Sequence, residues 1–276
     1  LLEIWFLTYA NIVAVTKIAH ACGHPNPADQ HFEANVNALI AVGLEKKQKD
    51  LESLGINPYA GLNPVGVLIF QIMLRLKATV SGVLFKLLVK KALGRYLLRM
   101  FIDLAGIPVY AFWNMWGSRI VMNEARVRVM APPLIRRCTE QLYAEQKDNP
   151  EFKKHLYDTL QLISESKRSF HHNHFLLSSS LLDQFEIERT EAPPYSENFL
   201  EEISELSPLT QKGVQQLFVF GIMIDRGISY REKKAIRLLI QKGILPYTET
   251  QVIQWANDYF EGRGIEGFFG SDQVKS

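Results

Sequence analysis

Several groups of residues in this sequence have types and spacings that could do chemistry. The first is His20, Cys22 and His24, in the run HACGH. Imidazole and thiolate are good zinc ligands. Their alternating spacing falls just past a helix end, which does not put three ligands on one face, and no second ligand pair lies nearby. Zinc sites commonly show paired C-x-x-C or H-x-x-x-H spacing, so polar loop chemistry at a helix end stands beside the metal reading. The second group is His171, His172 and His174 in SFHHNHF. On a helix His171 and His174 share a face, yet no carboxylate lies within a turn to orient the rings, as metal-bound imidazoles need. A polar helix end is the competing account. The third group is Arg119, Glu124, Arg126 and Arg128. Charges set among apolar side chains usually pair, so a structural ion pair between Arg119 and Glu124 is expected. No G-x-x-x-x-G-K-[ST] loop, G-x-G-x-x-G, H-E-x-x-H or G-x-S-x-G occurs. No catalytic residue and no cofactor is therefore predicted.

The element that dominates the chain is the stretch from Asn63 to Thr139, apolar and basic at once. No acidic residue occurs between Glu52 and Asp103, whereas Arg75, Lys77, Lys86, Lys90, Lys91, Arg95 and Arg99 all fall there. Helices that lie on or dip into a membrane combine these properties. Arg75, Lys86 and Lys90 lie within about 60° of one another on a helical wheel, a face that anionic headgroups would hold while the long stems snorkel. A solvated basic face on a core helix is the alternative. Gly106-Ile107-Pro108 breaks the run, because the residue before proline is pushed out of the helical region. The helix after it carries Tyr110, Phe112, Trp113 and Trp116. Such rings concentrate at the membrane interface, although aromatic-rich soluble cores exist too. The two arms around the break are expected to form a shallow hairpin entering one leaflet. Arg75, Lys77, Lys86, Lys90, Lys91, Arg95, Arg99, Trp113 and Trp116 are the expected membrane-binding residues, with anionic lipids as partner.

Charge is unevenly distributed. Residues 1–52 carry a net −2, residues 53–139 a net +10 and residues 140–276 a net −6. Such a division implies regions with different partners, or regions that face each other. The basic charges are interleaved with Leu, Val, Ile and Phe rather than clustered, which argues against nucleic acid. The acidic part is a candidate surface for a protein partner. Cys22 and Cys138 cannot make a disulfide framework, and a reducing compartment is expected. The expected location is thus the cytoplasmic side of a membrane. The chain begins Leu-Leu-Glu; its first 21 residues resemble a signal h-region, but Glu3 and Lys17 sit inside and no basic segment precedes them, so they read as a helix of the mature protein.

Helix signals recur along the rest of the chain. Asn26-Pro27, Asn63-Pro64, Asn149-Pro150 and Ser207-Pro208 each offer a cap followed by proline at the first helical position. Pro132-Pro133 is expected to end the apolar block, with helices over 134–147 and 150–167 after it. Thr190 to Asn198, with two prolines, reads as a linker. Beyond it Ser229 and Glu232 form a capping box, Gly243 stops the helix that follows, and Thr248 opens a last helix. The fold class is all-α: an apolar, basic helical region over 1–189 with hairpin-like helices, and a smaller soluble helical domain over 199–276. A soluble all-α scaffold, or a metal-dependent enzyme with the apolar block as core, is the alternative.

Two family resemblances follow. Gly106-Ile107-Pro108, Asn114 and Ala125-Arg126 make the segment 102–130 resemble the apolar block of EcsC-like bacterial proteins, which implies membrane association. An apolar helix, then Asp225 to Glu232 with Gly227, Ile228 and Ser229 between, then an amphipathic helix, makes 206–260 resemble TerB-like (tellurite-resistance) helical domains. That resemblance implies a stress response at the membrane and a metal role for Asp225 and Glu232. The residues themselves offer a second account, in which Asp225 turns the chain and Glu232 closes the capping box.

Overall fold

The structure, a computed structural model, describes residues 2–23, 54, 56, 115–167, 171–189, 195–196, 198–225 and 227–270. The architecture is all-α. The chain divides into two compact units, residues 1–58 with 121–276, and residues 59–120. The basic residues Arg75 to Arg99, Trp113, His24 and the Gly106-Pro108 break lie outside the described residues.

Helix α1 (Leu2–Ala21) is apolar along most of its length. It buries Val15 and Ala19 against Val121, Ala125 and Val129 of α2, the helix over 115–146. A second stripe of α2, comprising Val127, Ala131, Ile135, Cys138 and Leu142, joins the main core. The two stripes are centred about 120° apart around the helix at its usual pitch, and they overlap near residues 127–129, where α2 is packed on two faces. The second stripe explains a departure from the expectation at Pro132-Pro133. Both prolines lie inside α2. Each removes a backbone donor, and an interior proline costs about 3 kcal/mol. The buried stripe from Val127 to Leu142, which runs through and past them, outweighs that cost.

The main core is built by helices that run up, down and up. Asn149 caps α3 (Pro150–Lys154), accepting from the Glu151 and Phe152 amides. α4 (Leu156–Lys167) continues it after an interruption at His155. α5 (His172–Gln184) returns, so that Phe185 meets Phe152 at a ring separation of 5.5 Å. The short α6 (Phe199–Glu202) leads through a 3-10 turn to α7 (Pro208–Met223). α7 runs parallel to α3 and α4: Gly213 sits over Phe152, Gly221 over Ile163, and Asp225 beside Lys167. A Cβ on Gly213 would come within 2.7 Å of the Phe152 ring, and one on Gly221 within 2.5 Å of Ile163. Two helices can approach this closely because those positions carry no side chain.

α8 (Tyr230–Gln241) begins with the expected capping box of Ser229 and Glu232 and is followed by Gly243 at φ 71°. α9 (Glu249–Glu261) begins with a second box, Thr248 with Gln251. A further short helix, α10 (Glu266–Gly270), lies beyond the one expected to be last.

The expected division at 190–198 is not where the compact units part. Side chains from both flanks enter one core, from Val127 to Phe269. Ser196 is itself tied down, its amide donating to Asp158 Oδ1 at 2.7 Å. The two flanks share this core because α7 covers the apolar face of α4, with Gly221 over Ile163.

Gly221→Ala is expected to lower stability by about 1–3 kcal/mol through overpacking against Ile163, read as a lower urea midpoint at unchanged slope. Gly227→Ala, where a Cβ would meet nothing within 4 Å, introduces no such clash, although its φ of 109° adds backbone strain.

Candidate functional site

A helix leaves its last four carbonyls without partners in the helix. At the end of α7 this is a severe condition, because Ile222, Met223 and Ile224 are fully buried and water cannot serve. Side chains from α4 and α5 supply the donors. His174 Nε2 lies 2.9 Å from Gly221 O, Lys167 Nζ donates to Ile222 O at 2.6 Å, and Asn173 Nδ2 donates to Ile224 O at 2.5 Å. A carbonyl only accepts, so the His174 proton is on Nε2 and Nδ1 carries a lone pair. A lysine at this end also complements the negative pole of the helix.

Lys167 is the centre of the site. Its side chain is 1% exposed. Besides Ile222 O, its ammonium meets Asp225 Oδ1 at 2.6 Å and forms an ion pair with Glu232 Oε1. The other oxygen of Glu232 accepts from the Ser229 amide at 2.6 Å, so one carboxylate both caps α8 and neutralises a lysine on α4. Burial raises the Asp225 carboxyl, but the Lys167 charge, with help from His174 and His171, carries it below the ordinary value.

A second charged group adjoins the first. Glu124 on α2 accepts from Arg128 Nε at 2.8 Å, and its Oε1 lies 3.1 Å from His171 Nε2. His171 caps α5, with Nδ1 accepting from the Asn173 amide at 3.2 Å. The His171 and His174 rings meet edge to face at 5.9 Å, which joins the two groups. Asn173 also reaches Val127 O and the Tyr259 hydroxyl, each at 3.2 Å. Tyr259 donates to Val127 O at 2.5 Å, linking α9 to α2. Burial pushes the Tyr259 phenol well above its usual value. His174 is driven the other way: burial lowers it to about 3, against the opposing pull of Asp225.

The arrangement differs from each expected site in a definite way. Asp225 and Glu232 do converge, but on the Lys167 ammonium, which takes the place a metal cation would need. Glu124 pairs with Arg128 and His171 rather than with Arg119. Residues five apart point about 140° from each other on a helix, whereas residues four apart are neighbours, and Arg119 is exposed. His20 and Cys22 are exposed at the end of α1. Among the described residues no group of three or more His, Cys, Asp or Glu side chains could hold a metal ion. His172 and His174 are buried in the first turn of α5, which His171 caps. Trp116 is about half exposed. Lys167, Asn173 and Tyr259 have no counterpart in the sequence reading. Their neighbours give no periodic sign of them, since α4 also buries Asp158, Thr159, Gln161, Ser164 and Ser166 behind a soluble-looking sequence.

Chemically the site is a closed set of charge pairs and carbonyl caps. Each cation in it is held by carboxylates or carbonyls, which suits it to fixing the relative positions of α2, α4, α5, α7 and α8. The chain matches no protein-family model, no curated protein and no solved structure.

Lys167→Met is expected to cost about 3–5 kcal/mol, because it leaves Asp225 and Glu232 buried without a counter-charge. Adding Asp225→Asn and Glu232→Gln to it is expected to recover a measurable part of that loss in the same urea titration. Stability is also expected to depend on pH through His174. Below pH 6.5 the unfolded chain takes up a proton on this residue that the folded protein refuses until about pH 3. Stability is therefore full above pH 6.5 and is lost as pH falls through that window, at up to about 1.4 kcal/mol per pH unit. His174→Gln is expected to flatten the slope between pH 6.5 and 5 in urea titrations across that range.

Proposed function

We propose that this protein works at a membrane surface as a non-enzymatic helical protein, with its apolar, basic stretch in contact with anionic lipid. The observation that carries the reading is the net +10 over residues 53–139 within a strongly apolar sequence. A second observation supports it. Phe6, Tyr9 and Ile12 of α1 are 75%, 67% and 40% exposed, which is unusual for large apolar side chains at helical spacing on one element. Among the described residues no helix is long and apolar enough to cross a membrane. The reading is one of surface contact and shallow entry. Anionic lipid is concentrated on the cytoplasmic leaflet, and each basic residue near it contributes about 1 kcal/mol. The resemblances to EcsC-like proteins and to TerB-like domains agree with this location and with a stress-response or interaction role. On this reading the bundle of α2 to α10 is the rigid module that a protein partner would meet, through the acidic part of the chain.

The test is flotation of the full chain with vesicles, without detergent. Binding is expected to vesicles containing phosphatidylserine at low salt, and to fall as salt rises. Lys86→Gln, Lys90→Gln and Lys91→Gln together are expected to lower the partition coefficient by roughly a hundredfold. A monodisperse protein that stays at the bottom of the gradient under all these conditions would overturn the reading and leave the apolar stretch as an ordinary core.

A further inference from the structure

Between α4 and α5 lies a cavity of about 10 Å³, lined by Ile56, Leu160, Ile163, Ser164, His174, Leu177 and Ser178. Most of this lining is apolar, and two of its polar side chains stand out. Ser164 Oγ and His174 Nδ1 are both buried and neither has a hydrogen-bond partner in the protein. Ser164 is 3% exposed and His174 is 4% exposed. Ser178 lies one helical turn after His174 and lines the same space. Buried polar atoms are almost always paired, with protein or with ordered water. A cavity of this size is just large enough for one water molecule, and such a molecule needs two to four polar partners.

We propose that this cavity is a binding site for a single buried water, which donates to His174 Nδ1 and bridges it to the hydroxyls of Ser164 and Ser178. The chemistry is specific as to direction. His174 Nε2 faces a carbonyl, Gly221 O, and so must carry the proton. Nδ1 is then an acceptor only, and its ligand must be a donor. Ser164 and Ser178 can each donate or accept, so one water can satisfy all three groups at once. Burial keeps the imidazole neutral, and the water would hold it in the tautomer that serves the end of α7. The site thus explains why a histidine, rather than an apolar residue of similar size, occupies this place in the core: it caps a buried carbonyl on one side and is itself solvated on the other.

A crystal structure of the full chain, at a resolution that shows ordered water, is expected to reveal one density peak within hydrogen-bond distance of Ser164 Oγ, Ser178 Oγ and His174 Nδ1. A cavity without density there overturns the proposal. Thermal unfolding of Ser164→Ala, Ser178→Ala and the double variant is an independent measurement. Groups that share one water are coupled, so each single variant is expected to lower Tm and the double variant to lose less than the sum. Losses that add, or no loss in either single variant, overturn the proposal.

Discussion

The burial of the carbonyl end of α7 is the constraint on which the rest of the bundle depends. A helix that ends in solvent leaves its last carbonyls to water. α7 ends among fully buried side chains, so each carbonyl must find a donor on another helix or carry its full desolvation cost. The donors come from the end of α4 and the start of α5, as Lys167, Asn173 and His174. The need for cationic and amide donors there brings charge into the core, and the charge in turn needs Asp225 and Glu232. The opposite end of α7 is served by α3. Glu151 of α3 accepts from the Ser207 amide and from Thr210 Oγ1, and hydrogen bonding to the Ser207 hydroxyl lowers its carboxyl below the ordinary value. An acid at the first turn and a lysine at the last both complement the helix dipole. Parallel α3–α4 and α7 would otherwise set like poles side by side.

The same network fastens α2. Asn173 and Tyr259 share the carbonyl of Val127, and Arg126 donates to Phe260 O while lying over the Phe260 ring. A carbonyl that two side chains compete for marks a helix position set by tertiary contacts. Together with the apolar stripe from Val127 to Leu142, these bonds account for a helix that continues through two adjacent prolines. They also explain why the chain on either side of 190–198 forms one body: α9 and α10 reach back to α2 through Tyr259 and through Arg137, which pairs with Glu266 and covers Phe269.

Charge is used differently in different parts of this protein. In the bundle the buried charges are consumed in pairs, Lys167 with Asp225 and Glu232, and Arg128 with Glu124. Ion pairs of this kind are weak evidence for stability but are costly to break, so they specify one arrangement of helices. Over residues 53–139 basic side chains outnumber acidic ones by ten; Arg128 and Arg137 find carboxylates in the bundle, and the proposed lipid surface would balance others.

Local signals were legible from the chain alone because they are local physics. Asn149-Pro150, Ser207-Pro208, Ser229 with Glu232, and Gly243 begin and end helices through contacts within one turn. The all-α class followed from the same signals and from apolar residues at helical spacing. The candidate site was legible only in part. Asp225, Glu232, Glu124 and the histidines stood out by type, but what they meet was decided by helices far apart in the chain. Lys167 comes 58 residues before Asp225, and its partner could be any carboxylate that the fold delivers. The prolines of α2 show the other limit, since a local rule yields when the packing of a buried stripe is strong enough. Composition and short-range spacing therefore determined which helices form. Burial determined the rest, because only the folded body removes water from the end of α7 and obliges lysine, asparagine and histidine to take its place.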